Sequence, residues 1–215
     1  MRRLKLDNKL LLLYAITDRT WLNGKTLPEA VEEAILGGVT FIQLREKNLS
    51  YGEFLKIAGE VKAVTDKYNV PFVINDNVDI AAAIDADGAH IGQSDEGIKT
   101  AREKLGSDKI IGLSAGTVEE AVKAEQSGAD YIGVGAIFST STKLDADTVS
   151  LETLREICRA VNIPVVAIGG ISKDNVLELT GTCIAGISVV SAIFAQDDIK
   201  DAASELLELT KRITE

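Results

Sequence analysis

Eight short, continuously apolar runs alternate with eight amphipathic stretches along the 215 residues. The runs read LLLYAIT (11–17), VTFIQL (39–44), VPFVIN (70–75), GAHIG (88–92), KIIGLSA (109–115), YIGVG (131–135), IPVVAIGG (163–170) and AGISVV (185–190). Apolar side chains on successive residues mark strands covered on both faces, as in parallel sheets, and not strands with one wet side. Between them lie helical patterns at 26–38, 51–68, 77–85, 96–106, 117–128, 150–161, 172–181 and 198–212. Several helix-to-strand junctions carry Gly, as in LGGVTFIQL (36–44) and QSGADYIGVG (126–135). Gly takes the left-handed conformation that ends a helix at little cost. Strict strand–helix alternation predicts a parallel sheet, and eight units in this length predict a single-domain (β/α)8 TIM barrel over 1–215. The rival, a doubly wound open sheet, would place a Gly-rich phosphate turn after its first strand. Here that strand runs into Thr17-Asp18-Arg19.

Charge narrows the function. The net charge is -10, so general nucleic-acid binding is not expected, and any anion site must be built locally from a few cations and backbone N–H groups. With His90 the sole histidine and Cys158 and Cys183 the only cysteines, a Cys/His zinc site is excluded. The two thiols are expected to be buried, in a reducing compartment. The N-terminus is interrupted by Asp7 and Lys9 and reads as a first strand, not a signal peptide. The uncharged run from Leu179 to Gln196 carries Thr180, Gly181, Thr182, Gly186, Ser188 and Ser191, so it reads as helix end, strand and loop and not as a membrane span. The expectation is a cytoplasmic protein with small-molecule partners, compatible with homo-oligomer formation.

A barrel places its chemistry at the C-terminal ends of its strands. Those ends carry Gln43, Arg45 and Lys47 after the second strand, Asn75 and Asp76 after the third, and His90, Gln93 and Asp95 around the fourth. Ser114 ends the fifth. Ser139, Thr140, Ser141, Thr142 and Lys143 follow the sixth, Gly169 and Gly170 the seventh, and Val190 and Ser191 the eighth. Arg45, Lys47 and Lys143 on one rim of an acidic protein point to a bound polyanion. The bland alternative has Arg45 and Lys47 pairing with Glu46 in a solvated loop. Asp76 and Asp95 either form salt bridges with these cations or hold Mg2+, which takes one or two carboxylates, waters and phosphate oxygens. Cations plus a carboxylate-held Mg2+ suit a diphosphate leaving group. Gly169-Gly170 is either a plain tight turn or, with Ser191, a phosphate-monoester site of the usual barrel kind. His90 reads as a positioned histidine, not a base. Ser114 has no partner base nearby in sequence and lies in no GxSxG elbow.

The stretches QLREK (43–47), IND (74–76), HIGQSD (90–95), GLS (112–114), TSTK (140–143), AIGGI (167–171) and VSAI (190–193) together resemble the thiamine-phosphate synthase family, in family order and over nearly the whole chain. The resemblance implies that a pyrimidinylmethyl diphosphate loses pyrophosphate to a thiazole phosphate, by a dissociative displacement that needs no general base. It implies pyrimidine-diphosphate contacts from Gln43, Arg45, Lys47, Asn75 and Lys143, Mg2+ ligation by Asp76 and Asp95, and a pyrimidine contact from Ser114. It further implies a thiazole-phosphate site from Thr140 and Thr142 with Gly170, Val190 and Ser191; Ser141 adds a third hydroxyl to the loop between the two anion sites. One departure stands out: the family's GPIFPT loop reads GAIFST here, with Ala136 and Ser139 in place of prolines, and a more mobile loop is expected. The rivals are a thiazole tautomerase of the same superfamily, which should carry a histidine near Ser114, a sugar-phosphate isomerase, and a non-catalytic phosphate-binding protein.

Overall fold

In the computed structural model, which describes residues 6–92, 97–139 and 148–214, eight parallel strands close into a barrel in chain order. They are β1 (Leu13–Ile16), β2 (Phe41–Leu44), β3 (Phe72–Asn75), β4 (Gly88–Ile91), β5 (Ile110–Ala115), β6 (Tyr131–Val134), β7 (Val165–Ile168) and β8 (Gly186–Val189). Leu13 of β1 pairs with Ile187 of β8, so no open edge remains and the doubly wound alternative is ruled out. Helices α1 (Leu27–Leu36), α2 (Tyr51–Tyr68), α3 (Val78–Ala83), α4 (Ile98–Leu105), α5 (Val118–Ser127), α6 (Leu151–Ala160), α7 (Ser191–Phe194) and α8 (Ile199–Thr214) are the α-helices among the described residues.

The continuous apolarity of the strands has a direct structural cause. Successive side chains point to opposite faces, and both faces are covered. Leu13, Ala15, Ile42, Leu44, Phe72 and Ile74 face outward into the large core shared with the helices. Tyr14, Ile16, Phe41, Val73, Tyr131 and Val166 face the barrel axis and form a second, inner core. Tyr14, Phe41 and Tyr131 stack edge to face there, with ring centroids 4.7–5.9 Å apart. Space for them comes from glycine: a Cβ added at Gly112 of β5 would lie 2.1–2.4 Å from atoms of Tyr131.

Two helix starts carry reciprocal caps. Thr26 Oγ1 accepts from the Glu29 backbone N–H while Thr26 N donates to Glu29 Oε2, and Ser50 and Glu53 repeat the arrangement on α2. The Thr26 backbone N–H, then its hydroxyl, holds the Glu29 carboxyl below its ordinary value of 4.5; the Ser50 hydroxyl, then its N–H, does the same for Glu53. A carboxyl with a lowered folded pKa stabilises the fold above its ordinary pKa, and that contribution is lost as pH falls through the lowered value. Thermal unfolding followed at pH 6 and at pH 3 should therefore show Tm falling toward acid. In a Glu29→Gln/Glu53→Gln variant the fall should be shallower.

Three sequence expectations need correction. The seventh predicted helix (172–181) is only a 3-10 turn, Val176–Leu179. Its start is diverted by local bonds: Asn175 Oδ1 accepts from Ser172 N at 2.9 Å, and Asn175 Nδ2 donates to the Gly170 carbonyl at 2.9 Å. The first strand begins at Leu13, because Asp7 caps a 3-10 turn over Asn8–Leu11 that carries Leu11 into the inner core. The thiols are not both buried. Cys158 is half-buried, but Cys183 is exposed, in a left-handed turn with φ 63°. Burial, and then the neighbouring Cys183, pushes the Cys158 thiol up to about 12, which leaves it unreactive at neutral pH. Among the described residues no helix is long and apolar enough to cross a membrane.

Candidate active site

The C-terminal strand ends meet at one mouth, and residues of those ends line two cavities among the described residues. The outer one, about 330 Å³, is walled by Glu46, Lys47, Asn75, Asp76, Asp79 and Lys104, among others. The inner one, about 30 Å³, lies inside the barrel between Tyr14, Gln43, His90, Ser114 and Ser188.

In the outer cavity, the carboxylate of Glu46 does not neutralise its sequence neighbours. It turns to Arg19, whose Nε lies 2.7 Å from Glu46 Oε1. Among the described residues, no ion pair forms at Arg45 or Lys47. Arg45 is half-buried, and its backbone N–H donates to Thr17 Oγ1 at 3.1 Å, which ties the end of β2 to the end of β1. Lys47 is exposed on the cavity wall. Across from it, Asn75 Nδ2 donates to Asp76 Oδ2 at 2.6 Å. Asp76 sits in the left-handed region at φ 61°, which Asp tolerates better than most residues. Its backbone N–H donates to the His90 carbonyl at 2.8 Å, so the turn that presents the carboxylate is pinned to β4. Hard carboxylate oxygens held by a neighbouring amide on a polar wall are the donor type that Mg2+ takes, so Asp76 fits that metal.

The inner cavity is reached by a chain of hydrogen bonds. Gln43 Nε2 donates to the Tyr14 hydroxyl. The Tyr14 and Tyr131 hydroxyls lie 2.8 Å apart, Tyr131 lies 2.9 Å from His90 Nδ1, and His90 Nε2 lies 3.1 Å from Ser114 Oγ. Burial pushes both phenols well above their ordinary range, so both keep their protons. The Ser188 hydroxyl, 3% exposed, is the buried side-chain polar atom without a hydrogen-bond partner among the described residues, and it faces the same cavity. An orphan hydroxyl in a small, otherwise satisfied cavity is a place for a ligand atom.

Gly169 and Gly170 have φ of 99° and 64°, and an added Cβ at either would collide with the backbone of residues 136–139. Both glycines are thus required by the turn itself. Gly170 follows β7, and Val190 and Ser191 follow the adjacent β8, where Ile168 pairs with Ser188. Asp95, Thr140, Ser141, Thr142 and Lys143 lie outside the described residues, while all of the GAIFST loop but Thr140 lies within them. Sequence reasoning had placed Gln43, Asn75, Asp76 and Ser114 at this mouth but passed over Tyr14, Tyr131 and Ser188. The available signal was a hydroxyl-bearing aromatic in a buried run, since a buried Tyr O–H needs a partner.

Comparison with known proteins agrees with this geometry. The profile described as thiamine monophosphate synthase matches residues 13–193. The thiamine-phosphate synthase of Ruminiclostridium cellulolyticum is 57% identical over 197 residues, covering 92% of this chain and 94% of that one. That of Clostridium tetani is 56% identical over 194 residues, covering 90% and 93%. The solved structure of a thiamine phosphate pyrophosphorylase from Pyrococcus furiosus superposes with a TM-score of 0.88 at 42% identity, covering 96% of this chain and 98% of that one. The tautomerase alternative is not favoured by these relatives. The chain is an enzyme, a transferase, and belongs to the thiamine monophosphate synthase family.

Proposed function

We propose that the enzyme condenses 4-amino-2-methyl-5-hydroxymethylpyrimidine diphosphate with 4-methyl-5-(2-phosphoethyl)thiazole, giving thiamine phosphate and pyrophosphate. The observation that supports this reading is that β2 and the residues after it contribute to two cavities of different character, Gln43 to the inner one and Glu46 and Lys47 to the outer one. The outer cavity joins Lys47, Asn75 and Asp76, a cation and a carboxylate fit for a diphosphate with its metal. The inner one offers hydroxyls, an amide and an imidazole and no carboxylate, Lys or Arg, fit for part of a heteroaromatic ring.

On this reading Lys47 and Arg45, with Lys143, hold the departing pyrophosphate, and their charge stabilises it as the carbon–oxygen bond breaks. Asp76 and Asp95 would hold Mg2+, which when bound supplies further neutralisation of that leaving group. Gln43, Asn75 and Ser114 orient the pyrimidine so that its methylene faces the second substrate. Thr140, Ser141 and Thr142, with Gly170, Val190 and Ser191, hold the thiazole phosphate so that its ring nitrogen reaches that carbon. No general base is required, because the thiazole nitrogen carries a lone pair and no proton to remove.

Titration calorimetry tests the division into two subsites. The pyrimidine diphosphate should bind at least about tenfold more weakly after EDTA treatment. The thiazole phosphate should bind equally with and without EDTA. Equal binding of the pyrimidine diphosphate in both conditions would refute the metal-assisted diphosphate site.

A further inference from the structure

Ser188 stands near the C-terminal end of β8, where it pairs with Tyr14 of β1 on one side and with Ile168 of β7 on the other. Paired residues of neighbouring strands point to the same face of a sheet, and Tyr14 and Ile168 both belong to the inner core. The Ser188 side chain therefore points toward the barrel axis, where it lines the inner cavity with Gln43 and Ser114. It is 3% exposed, and its hydroxyl makes no hydrogen bond among the described residues. The other polar side chains around this cavity are bonded: Tyr14 to Gln43 and Tyr131, and His90 to Tyr131 and Ser114. A buried hydroxyl without a partner destabilises a fold, because it gives up hydrogen bonds to water that the unfolded chain keeps. Alanine here would avoid that loss and suit a wall that already carries Ile16, Val166 and Ile168. The packing of the empty barrel gives no reason for a hydroxyl at this position, whereas an incoming polar group does.

We propose that Ser188 is a specificity-determining substrate contact, whose hydroxyl is bonded only when an edge of the pyrimidine ring enters the inner cavity. This rests on the function proposed above for the identity of the ring. Around the closed barrel, Gln43 on β2 stands two strands from Ser188 in one direction, and Ser114 on β5 stands three strands away in the other. Apolar side chains fill the wall between them, Ile16 on β1 and Val166 and Ile168 on β7. The three polar groups thus approach the cavity from separate sides, as a flat ring with polar atoms on more than one edge requires. The cavity, about 30 Å³, matches one water's share of liquid volume. It admits a ring edge with one small substituent and not a whole ring. The chemistry recognised is a polar ring edge, a nitrogen or an amino group, which a hydroxyl serves as donor or as acceptor. A carbocyclic edge of the same shape would leave Ser188 as it stands in the empty protein and gain nothing from it.

Removing the hydroxyl should act in opposite senses on the empty and the occupied protein, a pattern that a structural role would not produce. In full-length Ser188→Ala with no ligand present, Tm should rise by about 2–4 °C, the size expected for relieving one buried unpaired group in a chain of this length. In the same variant KM for the pyrimidine diphosphate should rise about three- to tenfold, the size of one lost hydrogen bond, with KM for the thiazole phosphate unchanged. A Tm equal to or below that of the wild type would overturn the proposal, because the hydroxyl would then be satisfied in the empty protein, as by a buried water. A raised Tm with both KM values unchanged would overturn it as well, and so would equal rises in both. These results require a wild-type protein that turns over, so they leave the proposed function standing. A folded wild-type protein that forms no thiamine phosphate would refute the function itself, and this contact with it.

Discussion

Replacing Asp76 by Asn should lower kcat by about 10²–10³-fold, the cost of removing one preorganised charge-stabilising group, with the melting temperature nearly unchanged. Asn is the substitution that isolates the charge. Asp76 has φ 61°, a conformation that Asn also adopts readily, and the Asn side-chain oxygen can still accept from Asn75 as Asp76 Oδ2 does now at 2.6 Å. Asp76→Ala should lose the same activity and in addition about 1–2 kcal/mol of stability, because Ala pays the left-handed penalty without a local hydrogen bond. Steady-state rates at saturating Mg2+, paired with thermal melts, separate the two effects. If Asp76→Asn kept more than half of the wild-type kcat, the assignment of the outer cavity to the diphosphate would be wrong.

Gly112→Ala should be among the most damaging single-methyl changes in the barrel. The added Cβ would lie 2.1–2.4 Å from atoms of Tyr131, which is fully buried and packed edge to face against Tyr14 and Phe41. Overpacking of this kind costs about 3 kcal/mol or more, which for a chain of this length lowers Tm by about 6–12 °C. Activity should fall with stability, because Tyr131 bridges Tyr14 and His90. Gly52→Ala is the control: nothing lies within 4 Å of the added Cβ, on the helix that begins at Tyr51. There the helix gains up to about 1 kcal/mol, because Ala loses less backbone entropy than Gly. A Gly112→Ala protein as stable as wild type would mean that the inner core is looser than its geometry indicates.

The barrel was readable in the sequence because the evidence for it is local. Apolar runs covered on both faces and Gly at helix ends both act over a few residues. Residues 172–181 misled because their composition is helical, while Ser172 and Asn175 spend their side chains on a turn. The charged strand ends were readable for a similar reason: Arg45, Lys47 and Asp76 interrupt apolar runs where β2 and β3 stop. The chain of hydrogen bonds at the inner cavity was not. Tyr14 and Tyr131 stand 117 residues apart, each inside an apolar run that looks like plain core. Only closure of the sheet brings their hydroxyls together. Glu46 shows the same limit in reverse, since its neighbours in sequence suggested a pairing that Arg19, 27 residues away, takes instead.

The most direct measurement is turnover. The purified protein, given the pyrimidine diphosphate, the thiazole phosphate and Mg2+, should form thiamine phosphate, detected as a fluorescent thiochrome after oxidation, together with one pyrophosphate per product. EDTA should abolish both signals, and added Mg2+ should restore them. Folded protein that yields no thiamine phosphate under these conditions, or that yields it equally well in EDTA, would contradict the proposed metal-assisted diphosphate displacement.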